Sequence, residues 1–250
     1  MNTLICFISH TINEKLIERF NEIKSAAKLV SGNYDVKYIS PNTDITDSNI
    51  FIYHLNINES LKDENNRGSI KNHLIYLEIF KNFKGYDYYW LIENDVTINN
   101  ENRIDAWQIF FNFYNNNNDD LICSKLYKYI LSKYHIKRYP KYLLNKYKNN
   151  LYLYDLWFGF FPICRISNKL LKYVEDFYKN NDGFFEYVIP TIAYLQKLKI
   201  SSLSVDKFDY EIPILKIRDI NRGSISYTNR DMNNYRKKYP INTIIHPNKL

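Results

Sequence analysis

The sequence predicts an α/β fold with a mostly parallel central sheet flanked by helices, and three observations lead there. Short apolar runs of strand length alternate with longer stretches of helical periodicity through the first half of the chain, in the order β-α-β-β-α-β-α-β. The 250 residues are enough to bury one substantial core. Glycine and proline number only 6 and 7, which argues against flexible linkers between separate modules. The expected organisation is a single domain over 1–250, with a more regular first half at 1–124 and a less regular second half with a C-terminal tail at 125–250.

Leu4–Ile8 reads as a buried strand ending at Ser9-His10. A helix is expected from about Thr11, as N-cap with Glu14 three residues on, to Val30, with Gly32 as a stop. Tyr34–Ile39 and Asn49–Leu55 read as strands. A helix from about Ser69 to Phe83 follows, with Ile70, Leu74, Leu77 and Phe80 at helical spacing and Gly85 ending it. Tyr86–Ile92 is a strand, Asp105–Tyr114 a helix and Asp120–Ser124 a strand. The second half is less regular. Lys125–Tyr154 carries no acidic residue, and Asp155–Ile166 contains a long apolar run without a clear period. Asn168–Tyr178 and Phe184–Lys197 read as helices, the latter kinked or given its true first turn by Pro190. Ile200–Val205 and Ile212–Ile217 read as strands, and the tail Ile244-Ile245-His246-Pro247-Asn248-Lys249-Leu250 as a short apolar strand ending in a His, with a Lys three residues on.

The formal charge of +7 permits anionic partners, among them nucleotides, phosphorylated glycans and acidic lipid surfaces. Cys6, Cys123 and Cys164 are far apart in apolar surroundings and read as buried thiols of a reducing compartment. Leu4–Ile8 is too short for a signal-peptide core, and no stretch reaches the roughly 18 apolar residues of a membrane span. A cytoplasmic protein is expected, peripheral to a membrane at most.

The chemistry concentrates in Tyr86-Asp-Tyr-Tyr-Trp-Leu-Ile-Glu-Asn-Asp-Val96. Carboxylates at i and i+2 after an apolar strand fall on one side of an extended chain, Glu93 and Asp95 here. At the C-terminal edge of a parallel sheet that side opens onto the ligand crevice. Two such oxygens suit a hard divalent cation, which in turn holds a diphosphate. No glycine-rich loop of phosphate-binding spacing offers an alternative.

This segment resembles the DXD-type motif of GT-A (Rossmann-like) glycosyltransferases, in the variant where an aromatic-rich strand runs into Glu-x-Asp-Val. The resemblance implies a metal-dependent sugar transfer from a nucleotide-sugar donor, UDP- or GDP-linked, to a hydroxyl of a glycan, lipid-linked or protein acceptor. Mn²⁺ or Mg²⁺ would hold the diphosphate, with 1–124 as the nucleotide-sugar-binding half and 125–250 as the acceptor-binding half and C-terminal tail. By position Asp95 would be the main metal ligand, and Glu93 would reach the metal through water, or the ribose. Asn94 departs from the pattern, since a second Asp or an aromatic is common there. The plan also implies that Ser9 and His10 meet the nucleotide base, and that Arg67, Asn72 and His73 face the donor. A late carboxylate, Glu186 with Asp182 and Asp155 as rivals, would deprotonate the acceptor. The tail would bring back His246 to the metal and Lys249 to the leaving diphosphate.

Other roles are compatible with parts of the chain. Trp157-Phe158-Gly159-Phe160-Phe161 suits core packing or a sugar-stacking wall. The Lys/Tyr-rich stretch suits a module for nucleic acid or a membrane surface, or a solvated face. A sugar-phosphate nucleotidyltransferase would keep the fold, but Leu4–Asn13 lacks its glycine-rich signature. Nucleic acid is not the partner expected, and peripheral contact with an anionic membrane is compatible with the charge.

Overall fold

The computed structural model describes residues 1–57, 72–128, 156–181, 183–203 and 243–245. Arg67, Asp155, Asp182, His246, Lys249, the strand expected at Ile212–Ile217 and most of the acid-free segment lie outside the described residues. The described chain holds nine strands and five helices: β1 Asn2–Ile8, α1 Glu14–Leu29, β2 Asn33–Ser40, β3 Ile52–His54, α2 Asn72–Asn82, β4 Tyr88–Glu93, β5 Thr97–Asn99, α3 Arg103–Asn115, β6 Leu121–Lys128, β7 Trp157–Ser167, α4 Asn168–Tyr178, α5 Phe185–Leu195, β8 Ile200–Ser202 and β9 Thr243–Ile245. Seven strands form one mostly parallel sheet in the order β3-β2-β1-β4-β7-β6-β8, and β5 pairs with β9 separately. The α/β class is therefore as the sequence predicts. The chain divides into two compact units, Met1–His54, Trp90–Asn117 and Leu203–Leu250 forming one, Leu55–Tyr89 and Asn118–Ser202 the other.

In the first unit β1 pairs in parallel with β2, Leu4 opposite Asp35 and Ile8 opposite Ile39, and β2 with β3. Parallel strands are covered on both faces, which explains why Leu4–Ile8 is apolar without alternation and buried throughout. Helix α1 lays Leu16, Phe20, Ile23 and Ala27 against this sheet, where the rings of Phe7, Phe20 and Tyr38 meet at 5.3–6.2 Å. It begins two residues later than the sequence predicts: Asn13, not Thr11, is the N-cap, its side chain accepting from the Leu16 amide at 3.0 Å. The carbonyl of Thr11 is engaged instead by the hydroxyls of Ser9 and Tyr38, at 2.7 and 2.8 Å. The segment Thr11–Asn13 is thereby held as part of the loop leaving β1. Helix α3 packs Trp107, Phe110, Phe111 and Tyr114 beneath Trp90 of β4, with the Trp90 and Phe110 centroids 4.9 Å apart.

In the second unit β6 pairs antiparallel with β7 and parallel with β8. The run without a clear period is strand β7. Its register with β6 breaks between Cys123 and Lys125, opposite Pro162, and a bulge is where a residue without an N–H is tolerated in a sheet. Phe158 and Phe161 are buried, whereas Trp157 and Phe160 are half-buried. A Cβ at Gly159 would lie 2.6 Å from the Phe161 ring, so close packing sets that glycine. Helix α4 spans Asn168–Tyr178 as the sequence predicts, capped by Ser167 accepting from the Leu170 amide at 3.0 Å. Helix α5 runs through Pro190, which falls in its second turn rather than its first. Gly85, with φ +97°, follows α2 in a conformation other residues rarely adopt. The three cysteines are free and buried, as expected, and burial pushes the thiols of Cys6 and Cys123 up.

Candidate functional site

The C-terminal ends of β1 and β4 lie side by side in the first unit. The Asn94 amide donates to the Ile8 carbonyl at 3.0 Å, carrying the pairing just past the end of β4. The chain then turns, with the Val96 amide donating to the Glu93 carbonyl at 3.0 Å, and enters β5. Glu93 and Asp95 are thus the first and third residues of a turn, not two positions along an extended strand. The reversal into β5 is what changes the expected geometry. Both carboxylates and Asn94 are half-buried at the sheet edge.

The turn rests on a residue that sequence reasoning missed. Arg19 of α1 is 7% exposed, and its Nη1 donates to the Asn94 carbonyl at 2.7 Å. Burial pulls its pKa down to about 10, while the carboxylate of Asp95 pulls it back up and Arg103 adds to the lowering. Arg103, at the start of α3, is held by Glu22 through Nε at 2.7 Å and by Glu18 at 3.2 Å. That pair of glutamates links α3 to α1.

Ser9 and His10 follow β1. Ser9 is fully buried; its hydroxyl donates to the Thr11 carbonyl at 2.7 Å and accepts from the Thr11 amide at 3.3 Å. It therefore shapes the loop locally. Ser40 builds the same kind of turn after β2, closing on Asn42, whose carbonyl sits 2.9 Å from Nδ1 of His54 and whose side chain donates to the His10 carbonyl at 3.4 Å. Three strand ends are tied together in this way. His10 itself is exposed. Desolvation lowers its pKa below 6.5, against the opposing pull of Glu93. A folded-state value below the unfolded one means the unfolded chain binds more protons as the pH falls through 6.5, so folding stability declines there. His10→Gln should flatten that decline in a series of melting curves between about pH 5 and about pH 8. An unchanged profile would show that His10 does not report on the site.

His73 lies within α2 of the second unit, 5% exposed, its ring stacked on Tyr178 of α4 at 4.0 Å and 7°. Asn72 begins the same helix and is half-buried. Glu186 stands in the first turn of α5, half-buried, where its charge acts on Cys123. Another buried cation, Arg165, is covered completely: its guanidinium lies 4.3 Å from the Tyr88 ring centroid and donates to the Asp119 carbonyl at 3.1 Å, a structural use of the charge.

Among the described residues no three His, Cys, Asp or Glu side chains gather to hold a metal ion. Glu93 and Asp95 offer two carboxylates at one turn, a donor set that fits Mg²⁺ or Mn²⁺ where phosphate oxygens and water complete the coordination. Strand β9 returns to the same turn, with Ile245 opposite Thr97, two residues beyond Asp95. Ile244 is buried, which anchors the returning strand.

No protein-family model matches the chain, and no curated protein matches it. Among solved structures it is similar to a glycosyltransferase involved in the glycosylation of the major capsid of PBCV-1, at 11% identity over 82% of this chain and 85% of that one, with a TM-score of 0.41. It is similar to the galactosyltransferase LgtC, solved with donor and acceptor sugar analogs, at 8% identity over 82% and 73%, with a TM-score of 0.43. It is also similar to S. aureus TarS 1–349, solved with UDP-GlcNAc, at 17% identity over 83% and 57%, with a TM-score of 0.39. No helix among the described residues is long and apolar enough to cross a membrane.

Proposed function

We propose that the chain is a metal-dependent glycosyltransferase of the GT-A kind, moving a sugar from a UDP- or GDP-linked donor to an acceptor hydroxyl on a glycan, lipid or protein. The observation that carries this reading is the pair Glu93 and Asp95 at the turn after β4, beside the end of β1. Ligands of α/β sheets bind outside the carboxyl ends of the strands, and this pair stands there.

A divalent cation bound at the pair would supply charge to hold the diphosphate and to ease its departure. Asp95 is assigned as its main ligand, with Glu93 bound through water or turned to the ribose. His10 would lie against the base, with Ser9 fixing the loop from which His10 projects. Arg67, from outside the described residues, would add a cation on the donor side. The pairing of Ile245 with Thr97, just after the turn, supports the metal role that the resemblance implies for the next residue in sequence, His246. Its imidazole would complete the ligands, and the Lys249 ammonium would offset charge on the leaving diphosphate. The buried stacking of His73 favours a packing role for that residue. In an inverting reaction the acceptor oxygen bonds to the anomeric carbon, the bond to the diphosphate breaks, and the acceptor proton passes to a carboxylate, for which Glu186 is the candidate.

A thermal-shift screen of nucleotide sugars, each with and without Mn²⁺, tests the reading. A ligand that binds only the folded state raises the midpoint by mass action. At about a hundredfold excess over Kd the gain is about 2.7 kcal/mol, which for a chain of this size amounts to about 5–10 °C. One nucleotide sugar should give such a shift and should need the metal. A panel in which none moves the midpoint under either condition would remove the reading.

A further inference from the structure

We infer that Arg19 is a built-in counter-cation of the Glu93-Asn94-Asp95 turn: it holds the turn in shape before any metal arrives, and it sets how tightly a metal is taken. The inference rests on the metal reading of Glu93 and Asp95.

Arg19 sits on the inward stripe of α1, between Leu16 and Phe20 on one side and Ile23 on the next turn. A guanidinium at 7% exposure is costly unless its charge is balanced and its donors are used. One donor reaches the Asn94 carbonyl at 2.7 Å, which fixes the central peptide of the turn from 75 residues away in sequence. The charge is balanced from the same place. Glu18 and Glu22, the nearest acids on α1, are gripped by Arg103, with Glu22 Oε1 2.6 Å and Glu18 Oε1 3.2 Å from its Nη2. Asp95 favours the Arg19 charge most, ahead of Glu22 and Glu18. The turn is thus assembled around a cation that belongs to the chain. The same charge repels an incoming divalent ion, so the arrangement exchanges affinity for preorganisation: the carboxylates are placed in advance, but they hold a metal firmly only when a diphosphate adds its own negative charge.

The test separates charge from hydrogen bonding. Arg19→Gln keeps a donor for the Asn94 carbonyl and removes the charge, while Arg19→Lys keeps the charge. Mn²⁺ is titrated into the wild type and both variants at one ionic strength, with free Mn²⁺ read by its paramagnetic resonance signal. Even at the dielectric of water, a unit charge removed beside a divalent ion is worth about tenfold in affinity. Arg19→Gln should therefore bind Mn²⁺ about tenfold more tightly than the wild type, and Arg19→Lys should match the wild type. Equal or weaker binding by Arg19→Gln overturns the counter-cation and leaves the metal site standing. Failure of all three proteins to bind Mn²⁺, with UDP or GDP present or absent, removes the metal reading and this inference together. Should Arg19→Gln not fold, melting curves decide: Asp95→Asn strands the buried cation, so the double variant Asp95→Asn/Arg19→Gln should unfold at a higher temperature than Asp95→Asn alone. A lower midpoint for the double variant overturns the inference.

Discussion

Asp95→Asn is expected to lower sugar transfer by more than about a hundredfold, because loss of even an outer partner of a metal ligand commonly costs tenfold to a hundredfold. The substitution keeps the shape of the side chain and removes a full charge from the turn that Arg19 holds through the Asn94 carbonyl. Metal-dependent binding of the nucleoside diphosphate should disappear with it. Glu93→Gln should be milder, since Glu93 is assigned to the metal through water or to the ribose. Turnover is to be measured below the melting midpoint of each variant, across a range of Mn²⁺ concentrations. Wild-type turnover by Asp95→Asn at limiting Mn²⁺ would mean that the turn after β4 is not where the diphosphate is held.

The second large effect is on stability. Trp90 lies three residues before Glu93 on β4, is 1% exposed, and meets the rings of Phe110 and Tyr114 at 4.9 and 5.6 Å. Trp90→Ala removes one of the two tryptophans of this cluster and leaves a cavity that rigid aromatic neighbours cannot fill. The expected loss is about 3–5 kcal/mol, seen as a fall of about 6–20 °C in the melting midpoint. Trp90→Phe should cost much less, because most of the apolar contact is retained. If Trp90→Ala unfolds within about 1 kcal/mol of the wild type, the aromatic packing of α3 is not what secures the strand carrying the site.

The parts of this architecture legible in the sequence are those set by local periodicity and caps. Strand β1 shows as five apolar residues in a row, and α4 shows from Asn168 to Tyr178 because its apolar positions recur at helical spacing. Strand β7 was illegible for a physical reason: Gly159 and Pro162 interrupt its pattern, and the bulge that accommodates the proline exists only opposite β6. Strand β5, three residues long, exists only through its pairing with a distant segment, whereas the apolar Ile244-Ile245 pair marks β9 in the sequence. The N-cap moved from Thr11 to Asn13 because the Thr11 carbonyl is claimed by Ser9 and Tyr38, the latter from the next strand.

The candidate site divides in the same way. The spacing of Glu93 and Asp95 marks them in the sequence, but the turn that sets their geometry follows from the reversal into β5. His73 resembles an exposed polar residue near a helix start until Tyr178 is folded onto it. Arg19 did leave a signal, which is a charge on the apolar stripe of an amphipathic helix, at three residues from Leu16 and four before Ile23. A cation at such a position requires a partner from elsewhere in the fold. The sequence alone does not say which.

The central claim is that a divalent cation and a nucleoside diphosphate meet at the ends of β1 and β4. Mn²⁺ is paramagnetic and broadens nuclear resonances in its neighbourhood, so it can report its own location. The decisive measurement is the amide spectrum of the isotope-labelled protein with UDP or GDP, recorded as Mn²⁺ is added in small steps. The account predicts that Ser9, His10, Asn94 and Val96 lose their signals first, and that the loss requires the nucleotide. Uniform broadening, or first losses at residues remote from this turn, would contradict it.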